Sequence, residues 1–192
     1  MTQQLKDIKI AILVDDLFEQ PELAEPKKAL EAAGAAVYIV SPKGPTVTGM
    51  KHHEKGDSFD VDVPLSQANP DDYDGLVLPG GVVNADALRM NTAAQDFASA
   101  FDGAGKPIAV VCHGPWLLIS AGLASGRTLT SWPSLQDDLR NAGATWVDRE
   151  VVCDGNWTSS RRPADLPAFN REFIVALQTA PARRETPAPI AD

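Results

Sequence analysis

Cysteine, histidine and positive charge are all scarce in this 192-residue chain. Two cysteines, Cys112 and Cys153, are too few for a disulfide scaffold or a four-cysteine zinc site. Free thiols fit a reducing compartment, so the expected location is the cytoplasm. Lys and Arg number 17 against 26 Asp and Glu, a net charge of -9. With no basic run, the chain lacks the footprint of a nucleic-acid binder or of an anionic-membrane binder. No apolar run reaches the roughly 18 residues of a membrane-spanning helix. The opening stretch, Met1 to Asp7, has no apolar signal region, so secretion is not expected. No GxGxxG follows the first apolar run, and no dinucleotide cofactor is expected. His52-His53-Glu54 offers no third metal ligand, and neighbours on an extended segment face opposite ways, so no metal is expected. A solvated or interface loop fits these residues better. What is present, 44% hydrophobic and 22% charged, is ordinary globular composition. A chain of this size buries roughly 70% of its unfolded surface and needs no covalent staple.

The apolar runs set the organisation. Residues 8–14 and 36–40 are β-branched and apolar, as strands covered on both faces are. Between them lies a helix, punctuated by Pro21 and Gly34, with a late start or kink expected at Pro26. Residues 41–70 are broken by proline and glycine. Residues 46–48 and 59–63 read there as a paired excursion at the sheet edge. The alternation resumes with a strand at 75–78, a helix opening at a Thr92–Gln95 capping box, and a strand at 107–111 that is expected to be central. Helices at 116–121, 134–141 and 165–177 follow, with a late hairpin turning at Asp154-Gly155. This order predicts a doubly wound α/β domain over 1–178, with a mostly parallel sheet, helices on both faces and a small edge hairpin. The tail 179–192, rich in proline, alanine and charge, is expected to be disordered. In such sheets the ligand crevice lies beyond the carboxyl ends of the strands. That singles out Asp15 to Glu19, Pro79 to Asp86, and Cys112 to Gly114.

Cys112 ends five apolar residues and precedes a helix, the arrangement of a strand–turn–helix nucleophile. The turn lifts the thiol out of the sheet, and a helix N-terminus beyond it favours a thiolate. The bland reading is a buried small hydrophobe. His113 serves as base or orienter if its ring folds back to the sulfur; otherwise it is a loop histidine. Glu19, just past the first strand, is positioned to meet Cys112 across the crevice, or it is a solvated helix-start acid. A protonated carboxyl there would donate to the sulfur and stabilise a thiolate. Gly80 and Gly81 offer backbone amides for an oxyanion hole, and Gly114 allows close backbone approach. Cys153 reads as packing, and the four tryptophans as core or interface, with Trp132 a candidate pocket wall. Arg161-Arg162 read as an exposed pair.

Four segments together resemble the PfpI-type intracellular protease family of the class I glutamine amidotransferase-like superfamily. They are Phe18–Leu23, the run ending Pro79-Gly80-Gly81, the run ending Cys112-His113-Gly114-Pro115, and Asp154–Arg161. The resemblance spans about residues 7 to 178. It implies a flavodoxin-like fold and a Cys112 nucleophile followed by His113, with Glu19 as the first-loop acid. It implies oxyanion donors at the amides of Gly81 and His113. A triad acid comes from a neighbouring subunit, at the position of Asp86; the family pattern has glutamate and one residue fewer in that loop. A homodimer, or a higher oligomer built from dimers, follows. So does a stress-protective hydrolase or lyase acting on small carbonyl, glycated or peptide substrates without a cofactor. The alternative from a different class is an oxidative-stress sensor or holdase chaperone whose Cys112 is oxidised with little turnover. A glutaminase fits poorly, since no histidine follows His113.

Overall fold

The computed structural model describes residues 4–180. The tail assignment from residue 181 onward lies outside the described residues; Thr179 is the last residue of a helix. Strand β1 (Lys9–Leu13) lies between two others. The chain leaves it through β2 (Phe18–Glu19) and helix α1 (Gln20–Ala32). It returns through β3 (Ala36–Ser41), parallel to β1. Proline at the start suits α1, because the first-turn N–H groups have no intrahelical partner. Pro26 does not delay the helix as expected: α1 runs through it, with Pro26 itself on the buried side.

Strands β4 (Thr46–Lys51) and β5 (Glu54–Asp60) form the excursion as an antiparallel hairpin turning at His52 and His53. It joins β2 in a separate three-stranded sheet, not the edge of the main one. Strand β6 (Val63–Pro64) pairs with β3 and forms that edge. Strand β7 (Gly75–Leu78) pairs with β1, and β8 (Ile108–Val111) with β7, all parallel. Between β7 and β8 run two helices, α2 (Val82–Arg89) and α3 (Thr92–Gly103). The first of these occupies a stretch that the sequence reads as loop. The cap of α3 is Asn91, whose side chain accepts from Ala94 N, in place of the Thr92–Gln95 box.

After β8 come α4 (Pro115–Ser120), β9 (Thr128–Leu129), α5 (Gln136–Asn141) and β10 (Thr145–Trp146). The late hairpin is β11 (Val151–Asp154) against β12 (Trp157–Ser160), antiparallel, and α6 (Leu166–Thr179) ends the described chain. The seven-stranded order is β11-β12-β8-β7-β1-β3-β6, parallel except for β11. From β1 the chain winds outward on one side through β3 and on the other through β7 and β8. The crevice beyond the ends of β1 and β7 is therefore the topological switch point.

Alternation along the strands feeds two cores. Leu13, Leu76, Leu78, Ile108 and Val110 pack with Phe97 and Phe101 of α3 and Leu117 of α4. Ile10, Ile12, Val77, Ala109 and Val111 pack with Leu23 and Leu30 of α1 and with Phe169 and Phe173 of α6. Cys112 joins this second core beside Val111, where strict alternation would put it on the other face. The backbone turns over at that residue. Among the described residues, no helix is long and apolar enough to cross a membrane.

Candidate active site

Cys112 has φ of +59°, a left-handed conformation costly for any residue with a Cβ. The surrounding backbone holds it there. Cys112 N donates to Ser160 O at 3.1 Å, and Trp132 N donates to Cys112 O at 2.9 Å. The expected elbow is present, and its thiol is buried, with 7% of the residue exposed.

His113 folds back onto the sulfur, its Nδ1 3.2 Å from Cys112 Sγ. Its ring is buried, stacks near Trp132 at 6.1 Å and meets Trp116 edge-on at 5.2 Å. Burial lowers its pKa, so the imidazole is neutral at neutral pH.

The acid against the thiol is Glu22, not Glu19. Glu22 is fully buried in the first turn of α1, on the same stripe as Leu23, Pro26 and Leu30. Its Oε2 accepts a 2.8 Å hydrogen bond from Gly80 N, and its carboxyl reaches the Cys112 thiol. Its Oε1 has no hydrogen-bond partner among the described residues. Desolvation raises its pKa to about 8, opposed by the Gly80 amide. Glu19 lies one turn earlier at the helix boundary, partly exposed, where its Oε1 accepts a long 3.4 Å bond from His52 N. The expectation that Glu19 meets the sulfur fails because α1 begins at Gln20, and the next inward-facing acid is Glu22.

Burial likewise pushes the Cys112 thiol up, and charge on Glu22 would push it further. The amides of Gly81 and His113 point at the sulfur and act in the opposite sense. Helix α4, which follows the elbow, is six residues long.

The glycines divide by task. Gly80 N is occupied by Glu22, and Gly114 N donates to Val111 O at 2.9 Å, so neither is a free oxyanion donor. A Cβ on Gly114 would lie 2.6 Å from Leu78 O. Its smallness therefore lets the elbow close onto the sheet and does not open the crevice. A Cβ on Gly81, at φ +85°, would lie 2.7 Å from Glu19 N and Leu17 O. Asn84, fully buried on α2, braces this loop. Its Oδ1 accepts from Asp15 N at 2.7 Å, and its Nδ2 donates to Pro79 O and Gly80 O. Asp86 is exposed on α2 and is not brought to His113 within this chain.

A cavity of about 590 Å³ opens over the thiol, lined by Glu19, Glu22, Cys112 and His113 with Gly81 and apolar neighbours. Trp132 forms part of its wall, and His52 and His53 stand at its rim on the β4–β5 turn. Sequence reasoning singles out neither Glu22 nor Asn84, and it reads the rim histidines as a solvated or interface loop. Cys153 is exposed on β11, not packed. Arg161 is held by Asp148 and Asp165 and is not the free surface residue expected.

The family model described as the DJ-1/PfpI family matches residues 8–176. The chain belongs to the DJ-1/PfpI family. It is 47% identical over 171 residues to the deglycase PH1704 of Pyrococcus horikoshii, covering 89% of this chain and 100% of that one. It is 43% identical to a candidate cysteine protease, YraA of Bacillus subtilis, covering 88% and 98%. Among solved structures, Drosophila melanogaster DJ-1beta superposes with a TM-score of 0.82 at 28% identity, covering 90% of this chain and 91% of that one.

Proposed function

We propose that this DJ-1/PfpI member is a cofactor-free, cysteine-dependent hydrolase or lyase of small carbonyl compounds and their glycation adducts. Cys112 is the nucleophile. The single observation that carries the reading is the left-handed Cys112 elbow, its sulfur 3.2 Å from His113 Nδ1 and in contact with the buried carboxyl of Glu22. Relatives named as deglycases support the substrate class.

The acid–base roles follow from the environments. His113, neutral and with its proton on Nε2, presents a lone pair to the thiol and takes its proton. The sulfur adds to the carbonyl carbon, and the carbonyl π pair moves onto oxygen. Glu22, neutral through burial, gives its proton to that oxygen. The amides of Gly81 and His113 offset negative charge on the sulfur before it attacks. Glu22 is then a carboxylate beside an imidazolium, and the pair is set to activate water for the next step.

Self-association belongs to the proposal. A homodimer that brings Asp86 of a second copy to His113 would orient the imidazole, and its exposure on α2 leaves it available. A cytoplasmic location and a role in stress protection complete the reading.

The test is Cys112→Ser against methylglyoxal and methylglyoxal-treated peptides. The proposal expects turnover to fall to the uncatalysed level, with the fold intact by circular dichroism. Full turnover in the variant would overturn it. Suppression of client aggregation that survives the substitution, with no turnover in either protein, would favour a holdase instead.

A further inference from the structure

Glu19 is not the carboxyl against the sulfur, yet it lines the same cavity. The only hydrogen bond its carboxylate makes among the described residues is the long one from His52 N, and no basic side chain pairs with it. None of the described residues lining the cavity is lysine or arginine. A second, independent feature points to a ligand: fully buried Glu22 lines the cavity with an oxygen that no nitrogen or oxygen satisfies. The remaining wall is largely apolar, with Leu17, Met50, Val82, Trp132 and Pro163. Charge in such surroundings is less screened than on open surface.

We propose that Glu19 makes this site select substrates by charge, admitting neutral and cationic carbonyl compounds and rejecting those that carry a carboxylate or phosphate. The inference rests on Cys112 being the reacting group. It adds a specificity that geometry at the sulfur alone does not give. Adducts on an amine or guanidine fit the site. An anionic 2-oxo acid would face a carboxylate with no cation to answer it. His52 and His53 are the other rim groups able to gain charge, and His52→Gln/His53→Gln removes them from the comparison.

The experiment measures the rate at which Cys112 reacts with 2-aminoethyl, methyl and 2-sulfonatoethyl methanethiosulfonate, in a Cys153→Ser background at fixed pH and salt. In each case the thiolate attacks the sulfenyl sulfur, a mixed disulfide forms, and methanesulfinate leaves with the electron pair. The cation-to-anion rate ratio should fall roughly tenfold in Glu19→Gln, given unit charges a few ångströms apart. It should persist in Glu19→Asp. Glu25→Gln, an exposed acid on the same helix, should leave the ratio unchanged and so separate Glu19 from the general field of the acidic chain. A ratio indifferent to Glu19→Gln, or one reduced equally by Glu25→Gln, overturns charge selection and leaves the nucleophile assignment standing. Failure of all three reagents to label Cys112 overturns both.

Discussion

Gly80 N donates to Glu22 Oε2 at 2.8 Å, and the same glycine leaves no room for a Cβ. A methyl there would lie 2.7 Å from Cys112 Cβ and from Glu22 Oε2, and 2.8 Å from His113 N. The β7 loop, the α1 acid and the β8 elbow thus meet at one point. Gly80→Ala must part the thiol from its carboxyl. Alkylation of Cys112 should change at least about tenfold, as a displaced charge-assisted contact worth ~1.5 kcal/mol or more would require. Gly103→Ala, where a Cβ meets nothing within 4 Å, is the control and should leave alkylation unaltered.

Glu22 also writes a pH dependence into stability. Its folded pKa is raised by burial from 4.5 to about 8. Between those values the folded state holds a proton that the unfolded chain has lost, so stability falls as pH rises through this window. At ~1.4 kcal/mol per unit, roughly 3 kcal/mol is lost by pH 7 relative to acid conditions. Glu22→Gln lacks this loss. Chemical denaturation from pH 4 to 7 should show the variant gaining on the parent by about that amount, and parallel curves would contradict the assignment.

The elbow stores strain that glycine would release. Cys112→Gly and Cys112→Ala both remove the thiol, but only alanine keeps a Cβ at φ +59°. The glycine variant should be the more stable by about 1 kcal/mol, measured as a difference in urea midpoint at equal slope. Equal midpoints would mean that the left-handed turn costs nothing here.

The sheet was legible because its inner strands are short β-branched runs between turn residues; β1, β3, β7 and β8 are each nearly continuous apolar segments. The elbow was legible because Cys112 breaks such a run just before His-Gly-Pro. Helix α2 was not. It is eight residues long, follows two glycines, exposes Val82 and Val83, and buries Asn84, which inverts the usual pattern. The two-residue strands β2, β6, β9 and β10 are too short for periodicity to register. Glu22 carried a signal that went unused: spaced with Leu23, Pro26 and Leu30, it is an acid on the buried stripe of α1. A carboxylate placed there must be neutral, paired or functional. Family resemblance fixed the nucleophile but chose the first acid of the motif, and only the register of the helix separates the two.

The most direct measurement is the pH profile of Cys112 alkylation by iodoacetamide, in a Cys153→Ser background, for the parent, Glu22→Gln and Glu19→Gln. Charge on Glu22 opposes the thiolate, whereas a glutamine amide can donate to it without acquiring charge. Glu22→Gln should therefore lower the apparent pKa, with the largest rate gain above pH 8, while Glu19→Gln leaves the midpoint nearly in place. A midpoint that moves with Glu19 and ignores Glu22 would contradict the account at its centre.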